Sequence, residues 1–280
     1  MRACHGSDAI ERIFNIGDPV TQRFIERILQ GARTGKGGHH FSNGPTWIEQ
    51  LGRAIGLDAS VKAALATTDL TATNFAVGAA RAYEDGINFN LTRQVNTFLA
   101  RNGGTASPHA LYVVEMGSND IRDAFALYAS GGNGAPILSQ ALGSIAANIQ
   151  KLHLAGARQF LVWTPPDVAL TPAIRSLGPA AGALASQLTL AFNGGLTQVV
   201  AGLSALPGST FVRLDAYQLL TAIVANPADF ALTTVTTACV TPNVAPFDCS
   251  RPDEFLFWDG IHPTRAGHGI LAGAAADALR

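Results

Sequence analysis

The fold is decided by residues 110–120, which read ALYVVEMGSND. All but one of the first seven residues are apolar, and a glycine follows them directly. A nearly continuous apolar run that ends in turn residues is typical of a strand buried on both faces, as in a parallel sheet. Similar short runs predict further strands at residues 12–16, 71–75, 159–164 and 210–214.

Longer segments with helical spacing separate these runs. They predict helices over residues 45–55, 91–101, 137–155, 179–203 and 264–279. Alternation of strands and helices favours one doubly wound α/β domain with a parallel sheet. We assign residues 12–280 to this domain and residues 1–11 to an N-terminal extension.

The composition excludes several classes of protein. Among 280 residues, 48% are hydrophobic and 14% are charged, so a substantial core is available. A net charge of −1 without a block of Lys and Arg excludes a basic stripe for nucleic acid. No apolar run approaches the roughly 18 residues that a transmembrane helix needs. The first ten residues lack the apolar segment of a secretory signal, so the chain is either intracellular or a mature or truncated form.

The cysteines favour an exported protein. Cys239 and Cys249 enclose a short loop containing Pro and Asn, and this spacing indicates a disulfide, with two buried free thiols as the alternative. No Cys-x-x-Cys spacing suggests a metal site, and Cys4 is left over. We therefore expect a secreted or periplasmic location.

The ends of the predicted strands carry candidate binding groups. Ligands of doubly wound sheets bind beyond the carboxyl ends of the strands. There, Asn119 would present a side-chain amide, and the backbone N–H of Gly78 or Ala79 would present a second donor. Two such donors suit a developing oxyanion. Turn capping is the alternative role for Asn119, and Asp120 is expected to cap the next helix.

A second candidate lies near the C-terminus, where residues 257–264 read FWDGIHPT. Pro263 disfavours helical geometry at His262, which places the histidine in a turn. Asp259 is then able to hold one imidazole nitrogen while the other faces a substrate, as the acid and base of a hydrolytic triad do. A plain loop with a structural histidine is the alternative.

Four segments, in this order along the chain, resemble motifs of the SGNH/GDSL hydrolases, and most closely the bacterial secreted lipases and esterases. They are residues 41–47 (FSNGPTW), 74–80 (NFAVGAA), 117–120 (GSND) and 259–262 (DGIH). The resemblance implies a flavodoxin-like three-layer α/β/α sandwich. It also implies that Asp259 and His262 are the triad acid and base, and that Asn119 with the backbone of Gly78 and Ala79 forms the oxyanion hole.

The chain departs from that family at the nucleophile. Where the family has Gly-Asp-Ser-Leu after the first strand, residues 17–20 read GDPV, so Pro19 occupies the serine position. Proline has neither a hydroxyl nor an N–H. This one substitution therefore removes both the nucleophile and an N–H donor to the oxyanion. Ser7, Ser42 and Ser118 are alternative nucleophiles, and water activated by His262 is another route. The favoured interpretation is an ester hydrolase that is silent or very slow.

The sequence therefore predicts a monomeric hydrolase of small-molecule or lipid esters, with neither nucleic acid nor a membrane span. No cofactor and no metal is expected, because the pair His39 and His40 has no further ligand at suitable spacing. The alternative is a non-catalytic protein that binds lipid or glycan in the same crevice.

Overall fold

The structure, a computed structural model, describes Arg12–Ile13, residues 41–241 and residues 248–280. Its main sheet has four parallel strands in the order β1-β2-β3-β4. They are β1 (Arg12–Ile13), β2 (Leu111–Val114), β3 (Gln159–Thr164) and β4 (Thr210–Asp215). A separate parallel pair follows, β5 (Thr234–Ala238) and β6 (Phe255–Phe257).

Eight α-helices lie in the described part of the chain. They are α1 (Trp47–Ala54), α2 (Leu91–Arg101), α3 (Ser118–Ala129), α4 (Ala135–Ala155), α5 (Pro172–Arg175), α6 (Pro179–Leu203), α7 (Ala216–Ala225) and α8 (Arg265–Ala278). Helices α2 and α6 have the predicted bounds. Helices α1 and α8 differ from the prediction by one or two residues at each end, and α4 begins two residues earlier but ends as predicted. The α/β class with a parallel sheet is confirmed.

The helices form two groups around the sheet. Helices α2, α3, α4 and α6 pack on one another, whereas α1 packs on α8, which also contacts β4. One face of the sheet carries an aromatic row, because the strand register aligns Tyr112 with Phe160 and Phe160 with Phe211. Ring centroids along this row are 5.8 and 4.9 Å apart, and Phe98 of α2 joins it 5.8 Å from Tyr112. Phe98, Tyr112 and Phe160 are fully buried and Phe211 is partly buried, and together these rings hold the sheet to its helix layer.

The predicted strand at residues 71–75 is wrong. Only an isolated parallel bridge between Ala63 and Asn74 forms there. The N–H of Thr73 bonds the carbonyl of Ser60, and the N–H of Asn74 bonds the carbonyl of Lys62. This segment therefore pairs with a nearby irregular loop, and its apolar side chains are buried without a strand.

Helices α3, α5 and α7 and the β5–β6 pair were not predicted. Turn capping was the alternative role for Asn119, and Asp120 was expected to cap the next helix, yet a 12-residue helix already begins at Ser118. Residues 115–117 connect β2 to this helix, and Gly117, its N-cap, has a positive φ (121°) that glycine adopts readily. Helix α3 consequently starts at the carboxyl end of the sheet.

Candidate active site

A cavity of about 460 Å³ lies beyond the carboxyl ends of β2 and β3. Its lining includes the sequence-predicted groups Gly78, Ala79, Ser118, Asn119 and His262. Most of the remaining wall is apolar: Phe41, Trp47, Ile48, Phe125, Trp163, Val168, Ile174, Leu220, Ile223, Leu256, Phe257, Ile261 and Leu271. The structure thus brings the separate motifs to one cavity at the edge of the sheet where ligands of such folds bind.

Asp259 and His262 form a closed turn between β6 and α8. One oxygen of Asp259 accepts the backbone N–H groups of Ile261 (2.8 Å) and His262 (2.7 Å), and the other oxygen lies 2.8 Å from Nδ1 of His262. The N–H of Trp258 donates to the His262 carbonyl at 2.8 Å and closes the turn. With Nδ1 held by the carboxylate, Nε2 is the ring nitrogen left for the cavity.

The charge of Asp259 is stabilised within this turn. Burial alone would raise the pKa of Asp259, but the adjacent His262 and the hydrogen bonds from His262 and Ile261 lower it below the ordinary value. Asp259 is therefore ionised at neutral pH. An ionised acceptor at Nδ1 fixes the imidazole tautomer and stabilises the protonated ring.

Residues 41–43 brace the histidine turn from 220 positions away in the sequence. Phe41 stacks on the His262 ring, with centroids 4.6 Å apart and planes inclined by 10°. The hydroxyl of Ser42 donates to the carbonyl of Pro263 (2.9 Å), and the side-chain oxygen of Asn43 accepts the N–H of Arg265 (2.7 Å). Only the resemblance of residues 41–47 to a family motif gave any signal of this role in the sequence.

The turn at Gly78 and Ala79 lines the same cavity and lies against the start of α3. The N–H of Ala80 bonds the carbonyl of Val77 at 3.2 Å, which closes a β-turn with Gly78 and Ala79 at its centre. The side-chain amide of Asn119 donates to the carbonyl of Ala80 at 2.9 Å. A carboxamide has two N–H bonds, and within the described residues Asn119 uses one of them for the Ala80 carbonyl.

The expectation that Asp120 caps the following helix is wrong. Gly117 is the N-cap of α3, and Asp120 is its third residue. The Asp120 side chain is fully buried and accepts the backbone N–H groups of Ala82 and Tyr83. Its partners lie 38 and 37 residues away, and no local pattern indicated them.

Glu115 and Trp163 are cavity residues that sequence analysis missed, and both lie beside Trp47. The indole N–H of Trp47 donates to the Glu115 carboxylate at 2.9 Å, and the Trp47 and Trp163 ring centroids are 5.2 Å apart. Burial raises the pKa of Glu115 to about 7, although the bond from Trp47 opposes this shift. Trp47 is 4% exposed and also lines the cavity, so it belongs both to the core and to the cavity wall.

The structure describes two of the three serines that are alternative nucleophiles, Ser42 and Ser118. Ser42 is engaged with the carbonyl of Pro263, and Ser118, the exposed first residue of α3, lines the cavity. Pro19 and Ser7 lie outside the described residues, as do Cys4, His39 and His40.

The two loop cysteines are joined. A disulfide links Cys239 and Cys249, whose Cα atoms are 5.6 Å apart, and this bond rules out the free-thiol alternative. Within residues 41–241 and 248–280, no cluster of three or more His, Cys, Asp or Glu side chains is arranged to hold a metal ion. In the same part of the chain, every helix is too short or too polar to cross a bilayer.

Comparisons with known proteins agree with the geometry. Residues 13–275 match the model of the family described as GDSL-like Lipase/Acylhydrolase. A GDSL esterase/lipase of Arabidopsis thaliana is 25% identical over 279 residues, covering 86% of this chain and 79% of the relative. Esterase EstA of Pseudomonas aeruginosa is 32% identical over 285 residues, covering 90% of this chain and 42% of EstA. The crystal structure of an acetyl xylan esterase shares the fold, with a TM-score of 0.50 at 12% identity over 96% of this chain and all of that one.

Proposed function

The chain belongs to the GDSL-like lipase/acylhydrolase family of carboxylic-ester hydrolases, and on that premise we propose that its cavity binds acyl esters for hydrolysis by His262 and Asp259. The observation that carries the proposal is the 2.8 Å contact of His262 Nδ1 with Asp259, in a histidine that lines the same cavity as Asn119, Gly78 and Ala79. A base and a set of neutral donors on one cavity are what acyl transfer requires.

The role of each site residue follows from the atoms that remain available to a ligand. Nε2 of His262 takes a proton from the attacking oxygen and returns it to the leaving alcohol, while Asp259 stabilises the imidazolium. The second N–H of the Asn119 amide and the backbone N–H groups of Gly78 and Ala79 bind the carbonyl oxygen as it gains negative charge. No metal is needed for these steps.

The substrate class follows from the wall of the cavity. Its lining is mainly aliphatic and aromatic, and a space of about 460 Å³ is within the range of small-molecule sites. Such a wall favours an acyl chain over a sugar. We propose esters of aliphatic carboxylic acids, including lipid esters, as substrates.

Pro19 limits the rate of this reaction. Without a serine hydroxyl, no acyl-enzyme forms at that position, and attack falls to water activated by His262. Loss of a triad member leaves only the ~10³–10⁴-fold acceleration that binding and the oxyanion hole supply. We propose that the chain is a weak esterase at most.

A lipid-binding protein without turnover is the second candidate. The apolar wall of the cavity favours it, since the wall would bind an acyl chain whether or not a nucleophile is present. Both candidates place the ligand in the same cavity, and they differ only in whether the bound ligand is hydrolysed.

One experiment separates the two candidates. Hydrolysis of p-nitrophenyl butyrate and p-nitrophenyl octanoate is measured for the unchanged chain, for Pro19→Ser and for Pro19→Ala. Both variants remove the proline ring, but only serine supplies a hydroxyl, so Pro19→Ala is the matched control. We expect Pro19→Ser to exceed Pro19→Ala by at least ~10²-fold, a part of what a complete triad contributes. Equal and negligible rates, together with saturable quenching of tryptophan fluorescence by octanoate, would favour the binding protein.

We further propose an exported location. The Cys239–Cys249 disulfide supports it, because disulfides persist in oxidising compartments and are rare in the cytosol.

A further inference from the structure

Residues 78–83 hold a conformation that their own sequence does not favour. Ala79, the third residue of the turn from Val77 to Ala80, has a φ of +60°. A type II turn requires a positive φ at this position and usually has glycine there. A non-glycine residue persists in this region only when its surroundings impose it.

The first group that imposes this conformation is Asp120 on α3. Its side chain is 0% exposed, and one oxygen accepts the N–H groups of Ala82 (2.9 Å) and Tyr83 (3.0 Å). Two consecutive backbone donors on one carboxylate fix the direction of both peptide planes. One residue earlier, the side-chain amide of Asn119 donates to the carbonyl of Ala80.

The second group is an ion pair between the loop and the next turn of α3. The guanidinium of Arg81 donates twice to Asp123, with Nε–Oδ2 at 2.7 Å and Nη2–Oδ1 at 2.9 Å. The third nitrogen of this guanidinium donates to the carbonyl of Ala79 itself. The hydroxyl of Tyr83 adds a bond to Asp123 at 3.1 Å. Because the Arg81 side chain is only 12% exposed, water competes little for these bonds.

Together these contacts fix the peptides that flank Ala79. The peptide between Ala79 and Ala80 is fixed at both ends, because its carbonyl bonds Arg81 and its N–H bonds the Val77 carbonyl. The N–H groups of Gly78 and Ala79 have no backbone acceptor within the described part of the chain, and both residues line the cavity.

We infer that Asp120 and the Arg81–Asp123 ion pair are positioning residues, which hold the Gly78–Ala79 turn so that its N–H groups face the cavity beside Asn119. The inference rests on the proposed function only for the use of those N–H groups as oxyanion donors. The contacts by which α3 holds the loop do not depend on that function and are measurable without turnover.

The bracing is tested by NMR of the full chain. Asp120→Ala should accelerate amide exchange at Ala82 and Tyr83 by at least ~10-fold and shift the ¹⁵N resonances of Gly78 and Ala79, because the carboxylate that accepts the two N–H groups is gone. Asp120→Asn keeps one acceptor oxygen and should restore part of the protection. Asp277→Asn removes an exposed ion pair with Arg280 far along the chain and is the matched control.

Asp123→Asn gives a second measurement should Asp120→Ala fail to fold. It weakens the bidentate pair with Arg81 at a partly exposed position and should also shift the Gly78 and Ala79 resonances. Unchanged resonances at Gly78 and Ala79 in a folded Asp120 or Asp123 variant would overturn the inference.

Kinetics in the Pro19→Ser background test the catalytic consequence separately. Asp120→Asn and Asp123→Asn should each lower kcat by at least ~10-fold while KM stays within twofold, since only transition-state binding is lost. Shifted resonances with unchanged kcat would leave the bracing intact and refute the oxyanion role of the turn. Shifted resonances in a Pro19→Ser protein without activity would instead count against the proposed esterase function alone.

Discussion

The ring of Phe41 lies flat against the imidazole of His262, with the ring centroids 4.6 Å apart. The two residues are more than 220 positions apart and belong to two of the motifs that define the site. One side of the imidazole is therefore covered by an aromatic ring, and its Nδ1 edge is held by Asp259. The orientation of the base depends on both contacts.

Phe41→Ala tests the stacking contact. A stacked aromatic pair contributes about 0.5–1.5 kcal/mol beyond area burial, so we expect a twofold to tenfold lower kcat in the Pro19→Ser background. Phe89→Ala, which removes a ring paired with Arg93 on the surface of α2, should leave kcat unchanged. Equal effects of the two variants on kcat would show that the stacking does not orient the base.

His262→Ala tests the base. We expect loss of all measurable esterase activity in the Pro19→Ser background, and a fall of at least ~10²-fold for Asp259→Asn, because the tautomer is no longer fixed. His268 lines the same cavity from α8, so His268→Ala is the matched control. Full activity in His262→Ala with loss in His268→Ala would move the base to α8.

A fluorophosphonate probe tests the nucleophile. Pro19→Ser should be labelled at position 19, and the label should be lost when His262 is also replaced, since the base activates the hydroxyl. The unchanged chain should remain unlabelled. Labelling of the unchanged chain at Ser118, which lines the cavity, would identify a displaced nucleophile there.

Glu115→Gln tests the carboxyl group that lines the cavity beside Trp47. The pKa of Glu115 is about 7 in the folded chain, against 4.5 for an ordinary glutamate. The folded state therefore binds more protons between these two values, and this group's contribution to stability is lost as pH rises from about 4.5 to 7. Thermal unfolding at pH 5 and pH 8 should show that loss in the unchanged chain, on the order of 1–3 kcal/mol.

Glutamine keeps an acceptor for the Trp47 indole but does not ionise, so Glu115→Gln should remove this difference in stability. Glu254→Gln, at an ion pair with Arg251 on the surface, is the control and should keep it. An unchanged pH dependence in Glu115→Gln would mean that the carboxyl group is solvated.

The disulfide has a measurable contribution to stability. A bridge spanning 10 residues should stabilise the chain by about 2–3 kcal/mol through the unfolded state. The double variant Cys239→Ser, Cys249→Ser should show that loss in denaturant unfolding. Mass spectrometry of the unreduced chain should show two protons fewer than the reduced chain, and a reduced pair in protein isolated from its native cells would count against export.

Local sequence determined those features whose cause is local. The apolar run at Gln159–Thr164 predicted β3 with its observed bounds, and the spacing of residues 179–203 did the same for α6. Asp259 and His262 are three residues apart, so a proline and a short turn were enough to predict their contact. In each of these cases a few neighbouring residues decide the geometry, so a local sequence pattern is enough to predict it.

The tertiary structure alone decided the features that depend on distant partners. Residues 71–75 have the composition of a strand, but within the described part of the chain no strand pairs with them. Asp120 resembles a cap, but two N–H groups 37 and 38 residues earlier are its partners. Glu115 meets Trp47 across 68 residues, and Phe41 meets His262 across the whole domain. Such contacts form only after the sheet has brought its strand ends together. Local propensity is a weak guide where burial and hydrogen bonding to distant backbone contribute more free energy.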